Sequence, residues 1–374
     1  MIKRQKIFFF FSNVIDSPIY RALLIEFSSN EFELHCIFLG QETLPLYDYA
    51  CTLSIVGKHY SSASKRDIVQ QLLLNMFLLA KNRPRFIFTF GQTASIIGLV
   101  SAVLTCKAKR INLRMHTSMN KVENFPRGIL YDRISNWLAH TIVVPNSNTE
   151  KYLITKERVP RRKITVVAFG FDIRDLAAPS SERIQEIERT YALSPGQFVI
   201  GIVSRFTPMK GLQYSLPAVT DFLNRNPDAT LLLAGVGNID SPELTQATAR
   251  ISPNQIRIIP RVNDMAAFYG CLDVFIHTPI DETVESFGLV YVEAFAAGVP
   301  SIITLSGIAK DIASPGVNCL VVQYRNVEEI RSALEALSFD KDVSLRISTE
   351  AKKSVSAFTL ESMCQGYRNL IDES

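Results

Sequence analysis

Nowhere in the 374 residues does an uninterrupted apolar run approach the roughly 18 residues that a membrane-spanning helix needs. The opening, MIKRQKIFFFFSN, imitates a signal peptide with its basic residues and apolar block. That block, Ile7–Phe11, is shorter than the roughly 7–15 apolar residues of an export signal, so it reads as a first buried strand. The expected location is therefore cytoplasmic. Six cysteines, at 36, 51, 106, 271, 319 and 364, make no CxxC pair and no Cys/His group at zinc spacing. That removes support for a metal site or a disulfide frame, and scattered thiols on apolar segments read as buried and reduced. Low-complexity tracts and short repeats are absent too. What is there is 47% apolar and 20% charged, enough to bury a core and too apolar for disorder. The length exceeds what one hydrophobic core supports, so two domains are expected.

The net charge of +4 hides an asymmetry. Residues 1–172 hold 23 Lys and Arg against 12 Asp and Glu, a net +11, and residues 173–374 hold 17 against 24, a net −7. The basic half favours an anionic partner: nucleic acid, anionic lipid or a phosphate-bearing acceptor. No nucleic-acid-binding motif accompanies the charge, so nucleic acid is not expected. Cations recur at Lys58, Lys65, Arg66, Lys81, Arg83, Arg85, Lys107, Lys109 and Arg110. If the partner is lipid, the protein is peripheral at the inner face of an anionic membrane.

Short apolar strands alternate with amphipathic stretches. KIFFFFS (6–12), ELHCIFLG (33–40), RFIFTFG (85–91), RINLRMH (110–116) and TIVVPNS (141–147) read as strands. Between them DIVQQLLLNMFLLAKN (67–82) and TASIIGLVSAVLTCK (93–107) read as helices, the first, apolar on most sides, as a core helix packed on the sheet. GFDIRDLAAPSSE (170–182) is turn-rich and reads as a linker. The alternation restarts with QFVIGIVSRF (197–206), ATLLLAGVG (229–237), QIRIIPRV (255–262), DVFIHTP (273–279), PSIITLS (300–306) and CLVVQ (319–323). Strands alternating with helices imply α/β, two doubly wound parallel-sheet domains in tandem. Ligands of such sheets bind at the carboxyl ends of the strands, so a cleft between the domains is the expected site.

Two segments carry chemistry. In DVFIHTPIDETVESFGLVYVEAFAAGVPSIIT (273–304) a strand leads through a polar loop into a helix that Gly298 and Pro300 stop. The amides of Ser286, Phe287, Gly288 and Leu289, at the helix entry, suit a phosphate. Glu285 and Glu293 frame that turn, and each carboxylate can accept two hydroxyls of a sugar or ribose diol. Glu293 stands among Val290, Val292, Ala294 and Phe295, so it needs a partner. In GIVSRFTPMKGLQYSLPAV (201–219) a strand ends at Arg205, and Lys210 and Gly211 open the next helix. Two cations at a strand-to-helix turn are placed to neutralise a diphosphate.

The order strand–Ser–Arg205–four residues–Lys210–Gly211–helix, then LLLAGVGN, then DVF…ESFGLVYVEAFAAGVP resembles the family 4 retaining glycosyltransferases of the GT-B fold, within the glycosyl transferases group 1. The two glutamates separated by seven residues are its most specific signature. NSNTEKYLI…KITVVAFGFD resembles the family's approach to its interdomain linker. FTLESMCQGYRNLI (358–371) resembles the final helix that crosses back to the first domain. The resemblance implies a GT-B fold of two Rossmann-like domains, 1–172 for the acceptor, joined by the crossover helix at about 358–374, and 173–357 for the nucleotide sugar. It implies that Arg205 and Lys210 bind the diphosphate, Glu293 the nucleotide ribose, and Glu285 the donor sugar. Ser286, Phe287, Gly288 and Leu289 would meet sugar and phosphate, Val262 the nucleobase through its backbone, and His116 the donor sugar from the first domain. There are departures. The first strand-to-helix loop, SNVIDSPIYR (12–21), lacks the family's glycine pair, leaving Asp16, Ser17 and Arg21 as candidates on the acceptor side. Ser204 replaces a usual glycine, and Phe90–Gly91 stands where a histidine is common.

The implied activity is retaining, hexosyltransferase-type transfer from a UDP-, GDP- or ADP-sugar to a glycan or lipid-linked acceptor, as in surface-polysaccharide assembly. No cofactor and no metal are expected, because cations and helix amides already face the leaving diphosphate. Asp281 and Glu282 are the sole acidic pair near the site. A nucleotide-sugar 2-epimerase and a non-catalytic sugar-nucleotide-binding protein on the same fold are the alternatives.

Overall fold

A computed structural model describes residues 4–12, 18–28, 31–39, 52–56, 65–114 and 126–372. The chain divides into two compact units, Met1–Gly170 with Leu360–Ser374, and Phe171–Thr359. Each is a parallel sheet with helices on both faces, the doubly wound α/β class expected from the alternating pattern.

The first unit has seven strands: β1 (Gln5–Phe11), β2 (Phe32–Phe38), β3 (Thr52–Val56), β4 (Phe86–Phe90), β5 (Lys109–Leu113), β6 (Thr141–Val144) and β7 (Ile164–Val166). Their order is β3-β2-β1-β4-β5-β6-β7, all parallel. The run at Ile7–Phe11 is the buried central strand that the sequence suggested. Its side chains alternate between two cores, as a period of two requires. Ile7, Phe9 and Phe11 join Phe27, Phe88, Phe90 and Tyr367 on one face, and Phe8 and Phe10 join Leu79, Ile87 and Ile97 on the other. Helix Leu360–Asp372 belongs to this unit, where Met363, Tyr367, Leu370 and Ile371 complete the first core. Strands β3 and β7 went unread, because TLSIV and ITV are too short to stand out as apolar runs. Buried Arg114, just past β5, is held by both oxygens of Glu157, at 2.6 and 3.0 Å, and by Asn136.

The stretch expected to be a core helix forms helix Lys65–Asn82, but only one side of it is covered. Asn75 and Leu79 are buried, whereas Val69, Leu73 and Phe77 face solvent. A helix apolar all round needs neighbours on every side, and a single layer over a sheet covers only one. The basic positions also differ among themselves. Lys81, Arg83, Arg85 and Lys107 are exposed, but Lys109 donates to the Leu370 carbonyl at 3.1 Å and Arg110 to the Leu138 carbonyl at 2.7 Å.

The second unit has six parallel strands: β8 (Phe198–Val203), β9 (Ala229–Ala234), β10 (Ile256–Ile259), β11 (Val274–His277), β12 (Ser301–Ile303) and β13 (Leu320–Val321). Their order is β10-β9-β8-β11-β12-β13. The winding reverses between β8 and β11, and ligands of such sheets gather beyond the strand ends at that reversal. Segment 170–182 is not an open linker. Asp172 caps helix Ile173–Ala177 and Ser180 caps helix Ser181–Thr190. Arg183 clasps Asp175 and Asp264, fastening both helices to the helix Met265–Gly270.

Candidate functional site

The reversal point is built from two loops pressed together. Beyond β8, the chain turns through Thr207–Lys210 and enters helix Leu212–Arg225 at Gly211. Gly211 has φ +78°, and a Cβ there would lie 1.9 Å from the Thr278 carbonyl oxygen. Only glycine allows this left-handed turn and this approach. The Ile280 N–H donates to the Met209 carbonyl at 3.0 Å, which fastens the β8 loop to the loop leaving β11. That contact delivers Lys210 to Glu285, and the two form an ion pair.

Glu285 is buried and has a second partner, Nε2 of His277, at 2.8 Å. His277 is the last residue of β11, and Tyr291 packs edge-on against its ring at 4.9 Å. The Glu285 backbone N–H donates to Ser306 Oγ at 3.0 Å. Behind it lies Gly307, at φ +58°, where a Cβ would sit 2.8 Å from Glu285 Cβ and 2.4 Å from the Phe287 carbonyl oxygen. Burial raises the carboxyl's pKa, but the His277 hydrogen bond and the Lys210 charge outweigh it and hold the group at about 2. Burial depresses His277 below its ordinary value, so the neutral ring donates its Nε2 proton to an ionised Glu285.

Helix Leu289–Ala297 starts at Gly288, φ +83°, with no side chain capping it and no acid in its first turn. The positive dipole end of this helix therefore meets no side-chain cap. Ser286 and Gly288 are half-buried, Leu289 is exposed, and Phe287 is buried against Phe171. In the second turn Glu293, half-buried, accepts a hydrogen bond from Tyr269 Oη at 3.1 Å. Tyr269 is the partner that a carboxylate in apolar surroundings requires. Burial raises Glu293 to about 7, and the Tyr269 hydrogen bond offsets only part of that.

Arg205 is exposed just beyond β8, and no ion pair among the described residues engages it. Val262 is half-buried in the loop between β10 and the helix that carries Tyr269. His116 lies outside the described residues, as do Asp16 and Ser17. Asp281 accepts from both the N–H and the hydroxyl of Thr283, each at 2.7 Å, and Glu282 pairs with Lys310. Sequence reasoning missed His277, Tyr269, Ser306 and the close-approach glycine Gly307, and named Gly211 without its close approach to the Thr278 carbonyl. His277 did carry a signal, as a polar side chain at the carboxyl end of a strand beside the reversal point.

Residues 183–354 match the model of the glycosyl transferases group 1 family. The chain carries a group 1 glycosyltransferase domain on a GT-B fold. That glycosyltransferase domain contains Lys210, Glu285, Glu293, His277 and Tyr269. Over 375 residues the chain is 26% identical to the capsular polysaccharide biosynthesis glycosyltransferase CapM of Staphylococcus aureus, covering 95% of this chain and 93% of CapM. Over 206 residues it is 27% identical to the D-inositol 3-phosphate glycosyltransferase of Corynebacterium glutamicum, covering 53% of this chain and only 48% of that relative. Among solved structures, HepE of Anabaena in complex with UDP and glucose matches with a TM-score of 0.81 at 16% identity, covering 99% of this chain and all of that one.

Proposed function

We propose that the chain is a retaining, hexosyltransferase-type enzyme that moves a sugar from a UDP-, GDP- or ADP-sugar to a glycan or lipid-linked acceptor in surface-polysaccharide assembly. The C-terminal unit takes the donor and the N-terminal unit the acceptor, at the cytoplasmic face of a membrane. The observation that carries this reading is the buried Lys210–Glu285 pair, with His277 donating to the same carboxylate beside an uncapped helix N-terminus. A buried ion pair contributes little net stability, so its retention at a strand end calls for a chemical use.

In this reading Glu285 is held ionised to accept hydroxyls of the donor sugar. Lys210 stands beside the diphosphate, and the exposed Arg205 fork closes on the phosphates from the same loop. As the sugar–oxygen bond breaks, negative charge builds on the leaving diphosphate. The two cations and the amides of residues 286–289 stabilise it, in the role a metal ion fills elsewhere. His277 is engaged with Glu285 and does not act as a general base. The leaving phosphate oxygen takes the acceptor's proton on the face where the new bond forms, as the family resemblance implies, so configuration is retained. Glu293, fixed by Tyr269, receives the ribose diol, and the Val262 backbone meets the base. CapM's part in capsular polysaccharide biosynthesis supports the acceptor class, and HepE's complex with UDP and glucose supports a nucleotide-sugar donor.

The test is thermal unfolding across a panel of UDP-, GDP- and ADP-sugars, followed by transfer assays in EDTA with the sugar that binds. At 100 times its dissociation constant the correct donor adds about 2.7 kcal/mol of stability. No stabilisation by any of the panel would overturn the donor reading, and activity lost in EDTA and restored by Mg²⁺ or Mn²⁺ would overturn its metal independence.

A further inference from the structure

We infer that the outer helical layer of the N-terminal unit is a surface that seats on an anionic lipid bilayer. The inference builds on the membrane-side reading just proposed and names the surface. Three helices lie side by side in that layer: Lys65–Asn82, Gln92–Thr105 and Pro126–Leu138. On the first, Val69, Leu73 and Phe77 are 54, 58 and 63% exposed, and their spacing of four places them on one stripe. On the other two, Leu104, Leu130 and Trp137 are 62, 58 and 78% exposed. An apolar cavity of about 390 Å³ opens between the helices, lined by Leu72, Ile96 and Tyr131, and Tyr131 is itself 42% exposed. Exposed apolar side chains on three neighbouring helices around an apolar groove point to an interaction site.

The charges name the occupant. The three helices contain two acids, Asp67 and Asp132, and neither is exposed. Lys81, Arg83, Lys107 and Arg133, on or just after these helices, are all exposed. A second copy of this chain, joined face to face about a twofold axis, would bring like charges together. An anionic headgroup layer meets the cations with opposite charge and takes the apolar side chains below it. Trp137, at the end of its helix, has the apolar body and polar N–H that suit the headgroup boundary. Among the described residues no helix is long and apolar enough to cross a membrane, so the layer lies in the interface instead of spanning it.

Trp137 is the sole tryptophan of the chain and reports the event directly. Full-length protein is mixed with vesicles of phosphatidylcholine alone or with added phosphatidylglycerol, at low and moderate salt. Flotation and tryptophan emission are then read. The expected result is co-flotation with anionic vesicles, weakened by salt, with emission moved to shorter wavelength. The pair Leu73→Glu and Phe77→Glu lowers the partition coefficient on the order of tenfold or more. Phe339→Glu, an equally exposed apolar site on the C-terminal unit, leaves it unchanged. Circular dichroism melts confirm that the variants fold. Three results would each overturn the inference: no binding to either vesicle, binding untouched by the paired substitution, or self-association in sedimentation that the paired substitution abolishes. The readout needs no sugar donor, so its failure leaves the donor site standing, and a failed donor panel leaves this surface standing.

Discussion

The two glutamates of the glycosyltransferase domain stand seven residues apart and are driven in opposite directions. Glu285 has an ammonium and an imidazole N–H on one oxygen and is held ionised at about 2. Glu293 has a single neutral donor, Tyr269, in apolar surroundings, and rises to about 7. The difference lies in where each partner comes from. The partners of Glu285 arrive from the loop beyond β8 and from the last residue of β11, so its charge belongs to the assembled strand ends. The partner of Glu293 comes from a neighbouring helix and supplies a hydrogen bond without charge. One carboxylate is permanently charged at physiological pH, and the other is poised to change.

Lys210→Ala strikes the comparison hardest. It removes a cation aimed at the leaving group and leaves Glu285 buried with only His277. Turnover is expected to fall by about 10²–10³, the usual cost of losing one such donor. Steady-state kinetics with saturating donor measures it, and near wild-type turnover would remove Lys210 from the site. His277→Leu comes next. It strips one hydrogen bond from Glu285, with an expected stability loss of about 1–3 kcal/mol. It also removes part of the pH-dependent stability that Glu285 confers. A carboxyl depressed from 4.5 to about 2 contributes stability that is complete above about 4.5 and lost as pH falls towards 2. Denaturant melts between pH 3 and pH 6 should therefore show the variant losing stability less steeply with acid than wild type.

Much of this was legible before the fold was known. The alternation of β1, β2, β4, β5, β6 and the strands from β8 onward declared two doubly wound sheets. Gly298 and Pro300 bounded the helix that carries Glu293, and the isolation of Glu293 among apolar residues announced a missing partner. The partner's identity was not legible, because Tyr269 reaches it through a helix–helix contact that no local pattern encodes. His277 was hidden by its place in an apolar strand. Gly211 and Gly307 act through carbonyls far away in sequence, so their need for glycine appears only when the loops are packed. The outer stripe of helix Lys65–Asn82 was misjudged for a related reason. A stretch apolar on every side carries no phase, and so does not say which side the sheet will cover.

Glu293→Gln sharpens the comparison at neutral pH. A group raised from 4.5 to about 7 contributes stability that is complete below about 4.5 and lost as pH rises through 7. The glutamine variant should lack that decline and gain on wild type at pH 8. Donor binding runs the other way. The ionised carboxylate accepts both ribose hydroxyls, so wild-type affinity for a nucleotide sugar should weaken by roughly tenfold per pH unit below 7. A nucleotide sugar serves better than a free nucleoside diphosphate, whose terminal phosphate titrates in the same range. Calorimetry from pH 5.5 to 8.5 should show the slope in wild type and a flat, weaker profile in the variant.

Tyr269→Phe is the smallest change and separates two roles. The hydroxyl is the one side-chain hydrogen bond that lowers the Glu293 pKa, so removing it should move the binding midpoint to higher pH. At pH 7 the affinity loss should be modest, about threefold to tenfold, in keeping with one hydrogen bond to a charged group. If the hydroxyl acts only on charge, wild-type affinity returns by pH 9, once Glu293 ionises without help. If it also aims the carboxylate at the ribose, a deficit persists at high pH, because an ionised but unanchored side chain must be ordered when the ligand binds. The short reach from a fully buried tyrosine favours the second outcome. Identical pH profiles for wild type and Tyr269→Phe would show that the contact does not govern Glu293 at all, and would leave burial alone to set its raised pKa.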